Sequence, residues 1–145
     1  MIKTLLVAVA GAFLLGACET QPRVIAASAP QPQHQPRTFV LFFEFERSTL
    51  TTDALGVVRE AADVAKSGKD IHLTSTGHTD TAGSATYNMA LSMRRATAVK
   101  DALIHEGVPA ASIAVAGRGE EGLRFETRDG TRESQNRRVE ILVGQ

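Results

Sequence analysis

Gly77-His78-Thr79-Asp80-Thr81-Ala82-Gly83, followed by Asn88, Leu91-Ser92 and Arg95-Ala96, is the stretch on which the reading of this 145-residue chain turns. Upstream, Asp70–Gly77 reads as a strand. Downstream, Tyr87–Glu106 reads as a long helix with Ser92, Ala96, Val99 and Leu103 as its apolar stripe, stopped by Gly107 and Pro109. Asp80 therefore sits where a strand ends and the chain turns toward a helix, a loop position suited to binding.

The elements on either side complete a domain. Thr38–Phe45 is rich in β-formers and apolar on both parities, which predicts a central strand covered on both sides. Thr52 reads as an N-cap, with Leu55, Val58, Ala62 and Ala65 at helical spacing and Gly68 closing that helix. Ser112–Ala116 is a third strand and Arg138–Val143 a fourth. Between them, Arg118–Gln135 has 18 residues of which nine are charged, and reads as an exposed excursion. The order predicts an α/β (α+β) sandwich over residues 38–145, with two main helices on a mixed four-stranded sheet.

On the long helix Asn88, Leu91 and Arg95 lie three and four residues apart and share a face, read as distinct from the apolar stripe. A carboxylate at Asp80 and a guanidinium at Arg95, with an amide between, match a ligand that carries both an ammonium and a carboxylate. Arginine grips a carboxylate in a bidentate geometry that lysine cannot copy. The bland alternative is that Asp80 and Arg95 pair with each other and pin the loop to the helix.

The N-terminus reads separately. Lys3 precedes an apolar run from Leu5 to Leu15, 11 residues against the roughly 20 that a membrane span needs, so residues 1–17 read as a secretory leader. Its end, Leu15-Gly16-Ala17-Cys18, resembles a bacterial lipobox, and the chain's single cysteine falls at the lipidation position. That resemblance implies acyl chains on Cys18, and more than one chain holds a protein stably to a membrane. Glu19 is not the aspartate that retains such proteins in the inner membrane, so the outer membrane is expected, with the domain in the periplasm. Residues 18–37 hold four of the five prolines and four glutamines, with no apolar period. They read as a linker, with a reach of about 25 to 60 Å depending on extension.

Balanced charge, 16 basic against 16 acidic residues, gives no general attraction to nucleic acid. One cysteine excludes internal disulfides and multi-cysteine metal sites. His34, His72 and His105 show no ligand spacing to His78, so neither a metal nor a cofactor is expected. Ser75, His78 and Asp80 invite a hydrolase reading, but no nucleophile-elbow motif accompanies them, and His78 reads as donating to the backbone. Gly117-Arg118-Gly119-Glu120-Glu121-Gly122 matches G-x-G-x-x-G literally. Its two glutamates would repel a phosphate and no helix follows, so it reads as a tight turn.

Taken together, the series G-H-T-D-x-x-G, Asn88, L-S-x-x-R-A, Gly117-x-Gly119-Glu120 and Asn136-Arg137-Arg138 resembles the OmpA-like C-terminal domain of outer-membrane proteins, Pal-type lipoproteins and flagellar stator proteins. The resemblance spans the whole domain. It departs at Arg118, where the family usually has an aromatic residue, and in lacking a proline soon after. The resemblance implies non-covalent binding of peptidoglycan, through the zwitterionic end of meso-diaminopimelate in the stem peptide, by a protein that is not an enzyme. On that basis Asp80 takes the ammonium, Arg95 the carboxylate, and Asn88 and Arg137 support them, with Arg138 an open alternative to Arg137. The function so implied is tethering of outer membrane to cell wall. The other expectation left open is an envelope scaffold, Tol–Pal-like or part of a secretion system, acting through protein partners.

Overall fold

A computed structural model describes residues 35–144 of the chain; the expected leader, Cys18 and all but the end of the linker lie outside the described residues. Six main elements follow in order: β1 (Arg37–Phe42), α1 (Thr52–Ser67), β2 (His72–Gly77), α2 (Ala85–His105), β3 (Ile113–Gly117) and β4 (Arg138–Gly144). Short 3-10 turns occupy Ala110–Ser112 and Ser134–Asn136. The strands form one mixed sheet in the order β1-β4-β2-β3, with β2 and β3 parallel and β4 antiparallel to both of its neighbours. No helix among the described residues is long and apolar enough to cross a membrane.

The sheet corrects one expectation. β1 is an edge strand, not a central one, because β4 inserts between β1 and β2. Only one of its apolar rows enters the core: Phe39, Leu41 and Phe43 are buried, while Phe42 on the other face is 40% exposed. The guanidinium of Arg124, 5.8 Å from the Phe42 ring centroid, partly shields it. Phe45, expected in the same strand, lies in the turn beyond it.

Both helices pack on one face of the sheet. Helix α1 is capped by Thr51, one residue before the expected Thr52, through a hydrogen bond from the Ala54 N–H to the Thr51 hydroxyl at 3.2 Å. It buries Ala54, Val58, Ala61, Ala62 and Ala65 against Leu41, Val139 and Ile141 in a continuous apolar core. Small residues on this face let the helix sit close to the sheet.

Helix α2 approaches still more closely, and glycines are the reason. A Cβ on Gly77 would fall 2.0 Å from the Ser92 carbonyl oxygen, and one on Gly117 would fall 2.7 Å from the Ser92 hydroxyl. The Ser75 hydroxyl donates to the Ala96 carbonyl at 3.0 Å and fixes the helix in that groove. The result corrects the reading of two separate faces on α2. Asn88, Leu91 and Arg95 are buried together with Ser92, Ala96, Val99 and Leu103, as one broad face whose polar flank lies at the carboxyl end of β2.

Candidate functional site

The site assembles where β1 and β2 both end. After Phe42 the chain leaves β1 through Phe43, Glu44 and a turn to Arg47, in which Glu46 adopts a left-handed conformation at φ 55°. A non-glycine residue there costs on the order of 1 kcal/mol, so something must hold the turn. Arg95 does so. Its Nη2 donates to the Glu44 carbonyl at 3.0 Å and its Nε to the Arg47 carbonyl at 2.8 Å, gripping the turn at both ends. Its Nη1 donates to the His78 carbonyl at 3.0 Å, and the guanidinium lies 5.2 Å from the Phe43 ring centroid. One fully buried side chain thus ties the exit of β1 to the exit of β2.

Burial lowers the pKa of Arg95 to about 10, with the Asp80 charge opposing that shift and Arg137 adding to it. The guanidinium stays charged at neutral pH. It spends three of its five N–H bonds on main-chain carbonyls.

Asp80 is 3% exposed and pairs with Arg137, not with Arg95: Arg137 Nη1 donates to Asp80 Oδ2 at 3.1 Å. The same oxygen accepts from the Glu133 N–H at 3.2 Å. Arg137 also donates through Nε to the Phe43 carbonyl at 3.1 Å, the residue before the Glu44 carbonyl that Arg95 holds. The two arginines therefore sit on consecutive peptide groups, with one carboxylate between them in charge terms. Asp80, Arg95 and Arg137 together carry one unit of positive charge in excess, largely shielded from water.

This arrangement settles which arginine of the terminal pair faces Asp80. Arg138 turns to the other side of the sheet, where its Nε donates to Glu140 Oε1 at 2.7 Å and its Nη2 to the Gly122 carbonyl at 3.0 Å. His78 lies near it and hydrogen-bonds through Nδ1 to the Glu121 carbonyl at 3.0 Å, so that nitrogen carries the proton. Burial lowers the pKa of His78, and the Arg138 charge lowers it further. Ser75, His78 and Asp80 share no hydrogen bond, and Ser75 spends its hydroxyl on Ala96. Among the described residues no group of three or more His, Cys, Asp or Glu side chains is placed to hold a metal ion.

Asn88 is 1% exposed and donates through Nδ2 to Glu120 Oε2 at 2.8 Å. The partner comes from the glycine-rich turn, which presses directly on α2. Gly119 has φ 57°, a Cβ on it would fall 3.0 Å from the Met89 nitrogen, and its N–H donates to the Ser92 hydroxyl at 2.8 Å. The segment is a tight turn with no helix after it until the short Ser134–Asn136 turn.

Two motif residues to which the sequence assigned no role, Thr81 and Asn136, organise the rest of the 118–137 loop. The Thr81 hydroxyl donates to the Arg128 carbonyl at 2.7 Å and accepts from the Thr131 N–H at 3.1 Å. The Asn136 side chain accepts from the Arg124 and Phe125 N–H groups and donates back to the Phe125 carbonyl. Thr81 lies in the loop after β2 and Asn136 just ahead of β4; both are buried by contacts distant in sequence, which no local pattern signals. On the rim, Arg132 stacks on Phe45 with its guanidinium 3.8 Å from the ring centroid.

A family model described as the OmpA family matches residues 42–137, which include every residue of this site. The chain belongs to the OmpA family. Among similar proteins, an outer membrane protein of Gluconacetobacter diazotrophicus is 40% identical over 121 residues, covering 79% of this chain and 31% of that protein. A peptidoglycan-associated lipoprotein of Legionella pneumophila is 35% identical over 107 residues, covering 74% of this chain and 61% of that one. The chain thus spans less than two thirds of either relative. The crystal structure of the peptidoglycan-associated lipoprotein from Burkholderia pseudomallei superposes with a TM-score of 0.67 at 28% identity, over 72% of this chain and 89% of that one. The C-terminal domain of Helicobacter pylori MotB shares the fold at 21% identity, with a TM-score of 0.65 over 73% of this chain and 84% of that one. Two helices on a four-stranded mixed sheet are the fold of this OmpA-family domain and of those neighbours.

Proposed function

We propose that this OmpA-family domain binds peptidoglycan without covalent chemistry, by taking the zwitterionic end of a meso-diaminopimelate stem peptide at Asp80, Arg95 and Arg137. The observation that carries this reading is the buried cluster of one carboxylate and two guanidinium groups. Its excess positive charge favours a ligand carboxylate, while the Asp80 carboxylate favours an ammonium. Arg137 is the outermost of the three, with a side chain 13% exposed against 4% for Asp80. A zwitterion entering here exchanges one ion pair for two: its ammonium replaces Arg137 on Asp80, and its carboxylate follows the displaced guanidinium and the two uncommitted N–H bonds of Arg95. The Legionella and Burkholderia relatives, whose names associate them with peptidoglycan, support the choice of ligand.

Placement of the chain's entry supports a tethering role. Arg37 pairs with Val143 and His72 with Gly144, so the polypeptide enters β1 at the end of the sheet where β2 begins. Asp80 lies beyond the other end, about 20 Å away along a six-residue strand. A linker ahead of Arg37 and a ligand at Asp80 would pull on opposite ends of the sheet. With Cys18 lipidated in the outer membrane and the domain in the periplasm, the protein would hold membrane to wall.

The test is co-sedimentation of the purified chain with isolated diaminopimelate-type sacculi. Wild type is expected in the pellet, and Asp80→Asn and Arg95→Lys in the supernatant, with thermal unfolding measured on each variant. Folded variants that pellet like wild type would overturn the site. For the anchor, Cys18→Ser is expected to abolish palmitate labelling in cells, and continued labelling would overturn lipidation at that residue.

A further inference from the structure

The two polar atoms of the Asn88 amide have different fates. Nδ2 is bonded to Glu120, whereas Oδ1 is buried with no hydrogen-bond partner among the described residues. A buried acceptor left unmatched is destabilising. Turning the amide over would exchange its two ends with almost no change of shape, so something must fix its sense.

Glu120 fixes it. A carboxylate only accepts hydrogen bonds, so only the Nδ2 end can face it. The amide lies against the loop that follows Asp80, with Oδ1 the nearer end: a Cβ on Gly83 would fall 3.4 Å from Oδ1 and 3.8 Å from Nδ2. Thr79, next to Asp80 in the chain, bears a second buried oxygen without a partner. Both contacts to Asp80 fall on its Oδ2. Two buried oxygens thus stand without partners among the described residues, and of the two the Asn88 amide oxygen can only accept.

We propose that Glu120 is a positioning residue for ligand recognition: by holding the donor end of the Asn88 amide, it presents Oδ1, against the loop that carries Asp80, as a second acceptor for an alkylammonium group. The inference rests on the binding reading above and extends it to a residue in the glycine-rich turn. An ammonium brings three N–H donors, more than one carboxylate oxygen can use. Without Glu120 nothing fixes the sense of the amide, and turned over it sets an N–H against the incoming cation.

The test compares native diaminopimelate-type sacculi with the same sacculi after acetylation of their amines, using the full chain. Wild type binds native sacculi and loses most of that binding on acetylation. In Glu120→Ala, affinity for native sacculi falls roughly tenfold, the size of one charge-assisted hydrogen bond. Its residual binding to acetylated sacculi stays at the wild-type level. Glu120→Gln, which still accepts from Nδ2 but no longer forces the amide's sense, falls between the two. A Glu120→Ala variant that binds native sacculi like wild type overturns the proposal. So does one that loses binding to both preparations by the same factor, since that is the mark of a merely structural role. Wild type that fails to bind native sacculi at all overturns instead the binding reading on which the proposal rests.

Discussion

Asp80 is ion-paired with Arg137 across 57 positions of sequence, at 3.1 Å, while Arg95 stands back from both and holds the main chain beneath them. The pair joins the end of β2 to the start of β4, Arg95 joins the end of β2 to the exit of β1, and Arg137 reaches the same exit through the Phe43 carbonyl. Three strands that meet at one corner are therefore fastened by charged side chains, where an apolar core would have left no place for a polar ligand. The same groups serve the fold and the proposed site, so variants must be read for both.

Removing the carboxylate is expected to destabilise the domain as well as the site. Asp80→Ala leaves Arg137 without its counter-ion and the Glu133 N–H without an acceptor. The expected cost is about 3 kcal/mol, as for other broken buried pairs, and less for Asp80→Asn, which keeps an acceptor oxygen. Urea unfolding followed by circular dichroism measures both. Equal stability of Asp80→Ala and wild type would show that the pair contributes nothing to the fold.

Glycine substitutions are expected to act in opposite directions. Gly77→Ala places a methyl 2.0 Å from the Ser92 carbonyl oxygen and must push α2 off the sheet, at a cost of about 3 kcal/mol or more. Gly56 lies exposed in α1, with nothing within 4 Å of a Cβ, so Gly56→Ala is expected to add about 1 kcal/mol. Melting temperatures of the two variants check the sign of each effect.

His78 gives a pH dependence with a definite sign. Its pKa in the folded chain lies below the ordinary 6.5, because burial and then the Arg138 charge disfavour the imidazolium, outweighing Glu140 and the Glu121 carbonyl. The unfolded chain therefore binds the proton more readily. Stability tied to this residue is complete above about pH 6.5 and is lost as pH falls through the lower, folded value. Melting temperature is expected to drop between pH 7.5 and pH 5 more steeply in wild type than in His78→Asn, which lacks the titration. Parallel profiles would contradict that assignment.

Arg95→Lys is expected to be far from conservative. A single ammonium cannot reach the carbonyls of Glu44, Arg47 and His78 together, since they surround a planar fork. Losing these bonds releases the turn at Glu46. The variant is expected to unfold at lower urea and to exchange the amides of residues 43–47 faster. Unchanged exchange there would mean that the turn holds itself.

Much of this was legible in the sequence, for identifiable reasons. Helical and strand periodicities are local, so the six main elements appear within a few residues of their places, and the Thr51-for-Thr52 cap is a one-residue slip between two equally good capping hydroxyls. Sheet order is not local. Nothing in Thr38–Phe45 reveals that β4 arrives from the far end of the chain to make β1 an edge, nor that Arg124 covers Phe42. At the site, the spacing of Asn88, Leu91 and Arg95 placed three side chains on one face. It did not show that Arg95 would be wholly buried, because the depth of α2 is set by glycines on two other strands. Asp80's partner was likewise out of reach of local reading, since Arg137 and Arg138 are neighbours of the same type that the strand turns to opposite sides.

In the proposed site a zwitterion is read by an acid and two bases held in fixed positions. The most direct measurement is binding of the wild-type chain to purified muropeptides that end in meso-diaminopimelate, set against the same muropeptides ending in lysine, which keep the side-chain ammonium but lack its neighbouring carboxylate. Calorimetric titration is expected to show saturable binding to the first and at least a roughly tenfold weaker response to the second, as removal of one buried ionic partner demands. Equal affinity for the two would contradict recognition of the zwitterion by Asp80, Arg95 and Arg137.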